Sequence, residues 1–218
     1  MRKTSYALTA FAVCCTLVFT ILALTRNDWI VAKYQSDALN SSYEAFYGLH
    51  TVCERLVIQM PGGGPPLVDK LKCRRFPDAR DKDIDQCKDE NRFFCAAWTS
   101  AGYAVELAIG FGALSLATIA IGVSTRSRRR RIWRAVAGIV ILQSVFQLVA
   151  FALVVDMLRT SRFPTFVEDA KLGPALVFDA VAWVVGILTA ISVISTGIAA
   201  DKGHRWAAGH RAYEPIDG

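Results

Sequence analysis

Four cysteines, Cys53, Cys73, Cys87 and Cys95, share one hydrophilic stretch, residues 26–96. The chemistry their type and spacing support is cross-linking. Thiols gathered in a segment that meets an oxidising compartment form structural disulfides. No Cys-x-x-Cys dithiol is present, so thiol exchange at such a motif is not expected. The other two cysteines, Cys14 and Cys15, sit inside an apolar run, where a thiol packs as a small hydrophobe. His50, His204 and His210 lack the further ligands a metal centre needs. The chain contains no His-Glu-x-x-His, phosphate loop or Gly-x-Ser-x-Gly. The expectation is a protein without catalytic site, cofactor or metal.

Four cysteines allow three connectivities, and the local sequence favours one. Residues 51–60 and 67–76 both read as strands, rich in Val, Leu and Ile. Between them Pro61-Gly62-Gly63-Gly64-Pro65-Pro66 has turn chemistry and no strand capacity. Folding the chain about Gly63 brings Cys53 opposite Cys73, a staple across a hairpin. Cys87 and Cys95 are left to pair with each other. Further strands are expected through residues 29–34 and 45–47, giving a small antiparallel sheet. Asn40-Ser41-Ser42 fits the glycan acceptor pattern at Asn40.

The elements that must carry this unit are membrane-length. Apolar residues dominate 5–25, 97–123, 135–155 and 174–199, each near or above the ~20 residues that cross a bilayer core. Lipid cannot satisfy a free backbone amide, so each crossing is expected to be helical. The reading is a single membrane domain of four helices with a small sheet in its first long loop, 26–96. A cytosolic link at 124–134, a second outer loop at 156–173 and a cytosolic tail at 200–218 complete it. The apolar run of the first span is too long for a signal-peptide core and lacks a small-x-small cleavage site after it. It reads as a retained anchor.

The formal net charge of +6 is distributed for topology. Arg2 and Lys3, the Arg126–Arg134 cluster, and Lys202, Arg205 and Arg211 all fall on one side of a four-span path. The positive-inside rule then puts both termini in the cytosol. The Arg126–Arg134 run is expected to lie against anionic inner-leaflet lipid. Nucleic acid is not an expected partner.

Four residues with carboxyl or carboxamide side chains lie inside the predicted spans: Glu106, Gln143, Gln147 and Asp179. Intramembrane acids are expensive and are often functional. The expectation for Glu106 and Asp179 is a wet vestibule or neighbouring hydrogen bonds, the alternative an ion- or proton-sensitive site. Gln143 and Gln147, at i,i+4, are expected to supply interhelical hydrogen bonds.

Through Trp29, Gly48-Leu49-His50, Cys53 and Cys73 of the first long loop, the chain resembles the claudin superfamily. That family has a Trp after span one, then Gly-Leu-Trp and two cysteines. Here Trp29 is followed by Gly48-Leu49-His50, Cys53 and Cys73 within Leu71-Lys72-Cys73-Arg74-Arg75-Phe76. Arg92 before span two is similar to the family's arginine there. Phe163-Pro164, Glu168 and Leu172-Gly173-Pro174-Ala175-Leu176 resemble the second loop. His50 stands where the signature has Trp, the loop carries an extra cysteine pair, and Glu214–Gly218 lacks an apolar terminus for a PDZ groove.

The resemblance implies a four-helix bundle at the cell membrane that organises contacts or barriers, as at cell junctions. The expected partner is a second copy or another membrane protein such as a channel, the latter as an auxiliary subunit. A third reading is a component that senses pH or stress at the cell surface. The resemblance also implies charge selection at Arg74 and Arg75, against which stands simple pairing with Asp69 or Asp78. A tetraspanin is excluded, because its large disulfide loop lies between spans three and four.

Overall fold

A computed structural model describes residues 3–36, 41–58, 68–78, 87, 91–124, 132–159, 166, 170–204 and 207. In chain order the elements are α1 (Lys3–Thr25), β1 (Ile30–Ser36), β2 (Ser41–Tyr47), β3 (Thr51–Ile58) and β4 (Val68–Arg75). They continue as α2 (Arg92–Ser124), α3 (Trp133–Arg159), β5 (Lys171–Leu172) and α4 (Pro174–Asp201). All four helices are long and apolar enough to cross a membrane, with mean hydropathy of 2.0–2.4 in their apolar windows. Large apolar side chains such as Leu8, Phe11, Leu107, Val177 and Leu188 stay exposed along them. Outward faces of that kind suit hydrocarbon rather than water.

α1 ends at residue 25 and α4 begins at residue 174, as expected, while the other helix ends lie beyond the apolar runs; for α2 the difference matters. It starts at Arg92 instead of residue 97, so Cys95 lies in its first turns and not in the loop. Phe94, Cys95 and Trp98 are buried, and their burial carries the helix past the end of its membrane-length stretch. At 33 residues, α2 is about 50 Å long, against a bilayer core of ~30 Å.

The chain divides into two compact units. The first takes Met1–Thr20, Leu107–Gln147 and Val181–Gly218. Its core joins Tyr6 and Val13 of α1, Ile119 of α2, Trp133, Val136 and Val140 of α3, and Ala190 and Val193 of α4. Polar groups fix the register there. Gln143 Nε2 donates to Thr16 Oγ1 at 3.2 Å, and Gln147 Nε2 donates to Thr20 Oγ1. Both glutamines are fully buried, and the two bonds, one turn apart, match the expected interhelical role. Bonds of this kind contribute about 0.6 kcal/mol on average inside membranes. They therefore select register more than they supply stability. Of the Arg-rich run, Arg134 is described. It is the second residue of α3, with its guanidinium 3.9 Å from Asp201. Arg126 to Arg131 lie outside the described residues.

The second unit, Ile21–Glu106 with Leu148–Ala180, contains the sheet. Its strands run antiparallel in the order β4-β3-β2-β1-β5. Alternation puts Ile30, Ala32, Ala45, Tyr47 and Val52 on one buried face. β1 and β2 are longer than expected, and Trp29 precedes β1 instead of opening it. β5, in the second loop, has no counterpart in the sequence reading. Two residues make too short a run to show period-two alternation. Asn40, Phe163, Pro164, Glu168 and the glycine-proline turn lie outside the described residues.

Candidate functional site

The residues of the Trp, Gly-Leu and two-cysteine pattern converge within the second unit, where the sheet closes onto helix ends. The closure begins at Trp29. Its ring is fully buried, and its indole N–H donates to the Ala23 carbonyl at 2.7 Å. That carbonyl lies in the last turn of α1, whose terminal C=O groups have no helical donor. One side chain thus caps the helix and anchors the first strand.

Gly48 and Leu49 form the β2–β3 turn. Gly48 N–H donates to the Thr51 carbonyl at 2.8 Å, and its own carbonyl accepts from the Trp98 indole at 3.2 Å. A Cβ at Gly48 would stand 2.8 Å from the Asn27 Cα, so only glycine permits this approach. Thr51 Oγ1 bonds Asn27 Oδ1, and Asn27 Nδ2 points at Cys53 Sγ at 3.6 Å. Leu49 is buried beneath the turn. Around it Tyr47, Phe76, Phe94, Trp98 and Phe166 form an aromatic cluster with centroids 5.1–6.1 Å apart. Edge contacts of this type add about 0.5–1.5 kcal/mol per pair beyond area burial.

The second loop is clamped to the same place. Gly173 N–H donates to the Trp29 carbonyl at 2.8 Å, and a Cβ on Gly173 would lie 1.8 Å from the Asp28 carbonyl oxygen. Backbone blocks that position, and no rotamer relieves it. Gly173→Ala should therefore lose most of its folded, monodisperse yield in fluorescence-detected size exclusion. Gly110→Ala, whose Cβ meets nothing within 4 Å, should match the parent.

Both disulfides take the expected partners: Cys53 with Cys73, and Cys87 with Cys95. Cys53 and Cys73 are directly paired in the β3–β4 register. Arg92 is exposed at the first position of α2.

Arg74 and Arg75 occupy successive strand positions and so point to opposite faces of the sheet. Asp69 is taken by Arg55, with contacts of 2.8 and 2.9 Å, and Arg74 lies 3.6 Å from Glu54. Arg55 lies opposite Leu71, two positions from Asp69 on the same face of β4, which places the guanidinium ahead of Arg74 and Arg75. Its hydrogen bond holds the Asp69 carboxyl below the usual carboxylate range. Burial, with Glu54 alongside, raises the Tyr43 hydroxyl. Arg74→Glu puts a second carboxylate against Glu54, a partly buried partner, and should cost about 1 kcal/mol of stability, read as a lower thermal midpoint. Arg75→Glu should leave it unchanged. Thermal unfolding of the two variants in detergent separates them.

The two intramembrane acids part company. Asp179 is fully buried, and neither carboxylate oxygen meets a hydrogen-bond donor among the described residues. Its α4 neighbours Ala175, Leu176 and Ala182 are likewise buried and apolar. Glu106 is half-exposed, and its Oε1 lies 3.1 Å from His50 Nε2. Sequence reasoning singled out both residues but did not join them, since no spacing rule relates a turn residue to one far along the chain.

No protein-family model matches the chain, and no curated protein matches it in sequence.

Proposed function

We propose that the chain is a non-enzymatic, claudin-like four-span protein of the plasma membrane that organises membrane contacts. Its stapled sheet stands outside the cell, both termini are cytosolic, and copies of the chain associate through sheet and helices. The observation that carries this reading is the convergence of Trp29, Gly48, Leu49 and the Cys53–Cys73 bridge on one closure. The residues of the resemblance are the ones that hold the sheet to the helix ends. Arginines of the 126–134 run face anionic lipid of the inner leaflet.

Shallow apolar ground on the sheet supports a contact role. A groove of about 410 Å³ is lined by Arg26, Asn27, Asp28, Phe46, Cys53, Arg55 and Leu71. Its cations are already matched, Arg26 by Asp28 and Arg55 by Asp69, which leaves Phe46 and Leu71 as apolar area beside neutralised charge. The test is cross-linking with mass spectrometry on protein purified in mild detergent. Inter-copy links from sheet residues support the reading. Links confined to a larger channel or receptor would replace it with the role of auxiliary subunit.

A further inference from the structure

The β2–β3 turn makes one charged contact with a membrane-length helix, and that contact has a built seat. His50 Nε2 lies 3.1 Å from Glu106 Oε1, with both side chains nearly half-exposed. The imidazole lies over Gly102, where a Cβ would come within 2.9 Å of its Cε1. Gly102 and Glu106 are one turn apart on α2, so the same helix face supplies the space for the ring and the anion that meets it. The turn is fixed on its other side as well, because the His50 carbonyl accepts the Phe76 N–H at 2.9 Å. Imidazole, carboxylate and glycine seat all belong to the sheet-bearing unit.

We propose that His50 and Glu106 form a proton-strengthened latch between the ectodomain turn and α2. With a neutral ring the contact is an Nε2–H to carboxylate hydrogen bond, charge-assisted by its acceptor alone. Protonation adds the Coulomb attraction of a full ion pair to it. Histidine is the side chain whose ordinary range spans this change near neutral pH. Half-exposure lets the ring exchange protons with solvent. On the elements around the turn, the titratable and charged groups are Tyr43, Glu44 and Tyr47 on β2, Glu54 and Arg55 on β3, Asp69, Lys70, Lys72, Arg74 and Arg75 on β4 with Asp78 beyond it, and Arg92, Tyr103 and Glu106 on α2. Among the described residues, Glu106 is the one at ion-pair distance from His50. The latch tightens as pH falls. Contacts made by the sheet would then respond to outside acidity, independently of which partner the sheet binds.

The test is hydrogen exchange on the full-length chain in lipid nanodiscs at pH 7.5 and 5.5, corrected for intrinsic exchange. The parent is compared with His50→Gln and Glu106→Gln, which keep hydrogen-bonding capacity but cannot form the ion pair. Protection of the Phe76 and Thr51 amides in the parent should rise roughly two- to fivefold on acidification, the factor a half-exposed ion pair supplies. Both variants should lose that rise while keeping parental protection in β1 and β2. Acid-induced protection equal in all three proteins would overturn the latch, as would a rise in Glu106→Gln alone. If His50→Gln loses protection throughout the sheet, the Glu106→Gln comparison decides by itself.

Discussion

Replacing Cys53 and Cys73 together with serine is expected to strip β4 from the sheet and sharply reduce delivery of the protein to the cell surface. Among the described residues β4 is an edge strand paired only with β3, and its residues are mostly exposed. Little apolar burial therefore holds it. Closing a loop over a sequence separation of 20 contributes about 3 kcal/mol in the chain-entropy model. That is a large share of what a small unit has to spare. Lys70, Lys72, Arg74 and Arg75 give trypsin four sites in the released strand. The double variant should be nicked there within minutes under conditions that leave the parent whole. An unnicked double variant at parental surface level would show that the ladder alone holds β4.

Trp29→Ala is expected to be at least as damaging. The ring is fully buried between sheet and helix end, and truncating a large buried aromatic costs about 3–5 kcal/mol. The substitution also removes the donor to Ala23. Trp29→Phe keeps most of the apolar contact and loses the bond, so its loss should be about 1–3 kcal/mol. Thermal unfolding followed by light scattering in detergent should rank the parent above Trp29→Phe, and Trp29→Phe above Trp29→Ala. Equal midpoints for Trp29→Phe and the parent would remove the indole bond from the account.

What the sequence disclosed follows the reach of its signals. Four apolar runs predicted four helices, because bilayer thickness sets their length and no local competitor does. The Pro61–Pro66 block fixed the hairpin centre, and register followed by counting. The reading fell short where tertiary contacts override local pattern. The start of α2 depends on Phe94 and Trp98 entering an aromatic cluster built by other elements. β5 exists because Gly173 can approach the Asp28 backbone. Arg55 captured Asp69 across the β3–β4 ladder, whereas the reading looked along one strand. The His50–Glu106 pair joins a turn to a helix face, and only the folded chain brings them together.

The central claim is that the stapled sheet stands outside the cell, on the opposite side of the membrane from the Arg-rich link. Membrane-impermeant maleimide labelling of single introduced cysteines tests it most directly. Leu71→Cys places a thiol on exposed β4, and Ser127→Cys places one among the arginines of the link. With the parent chain as background, intact cells should label Leu71→Cys strongly and Ser127→Cys only after permeabilisation. Labelling of Ser127→Cys on intact cells, with Leu71→Cys protected, would invert the topology and contradict the account.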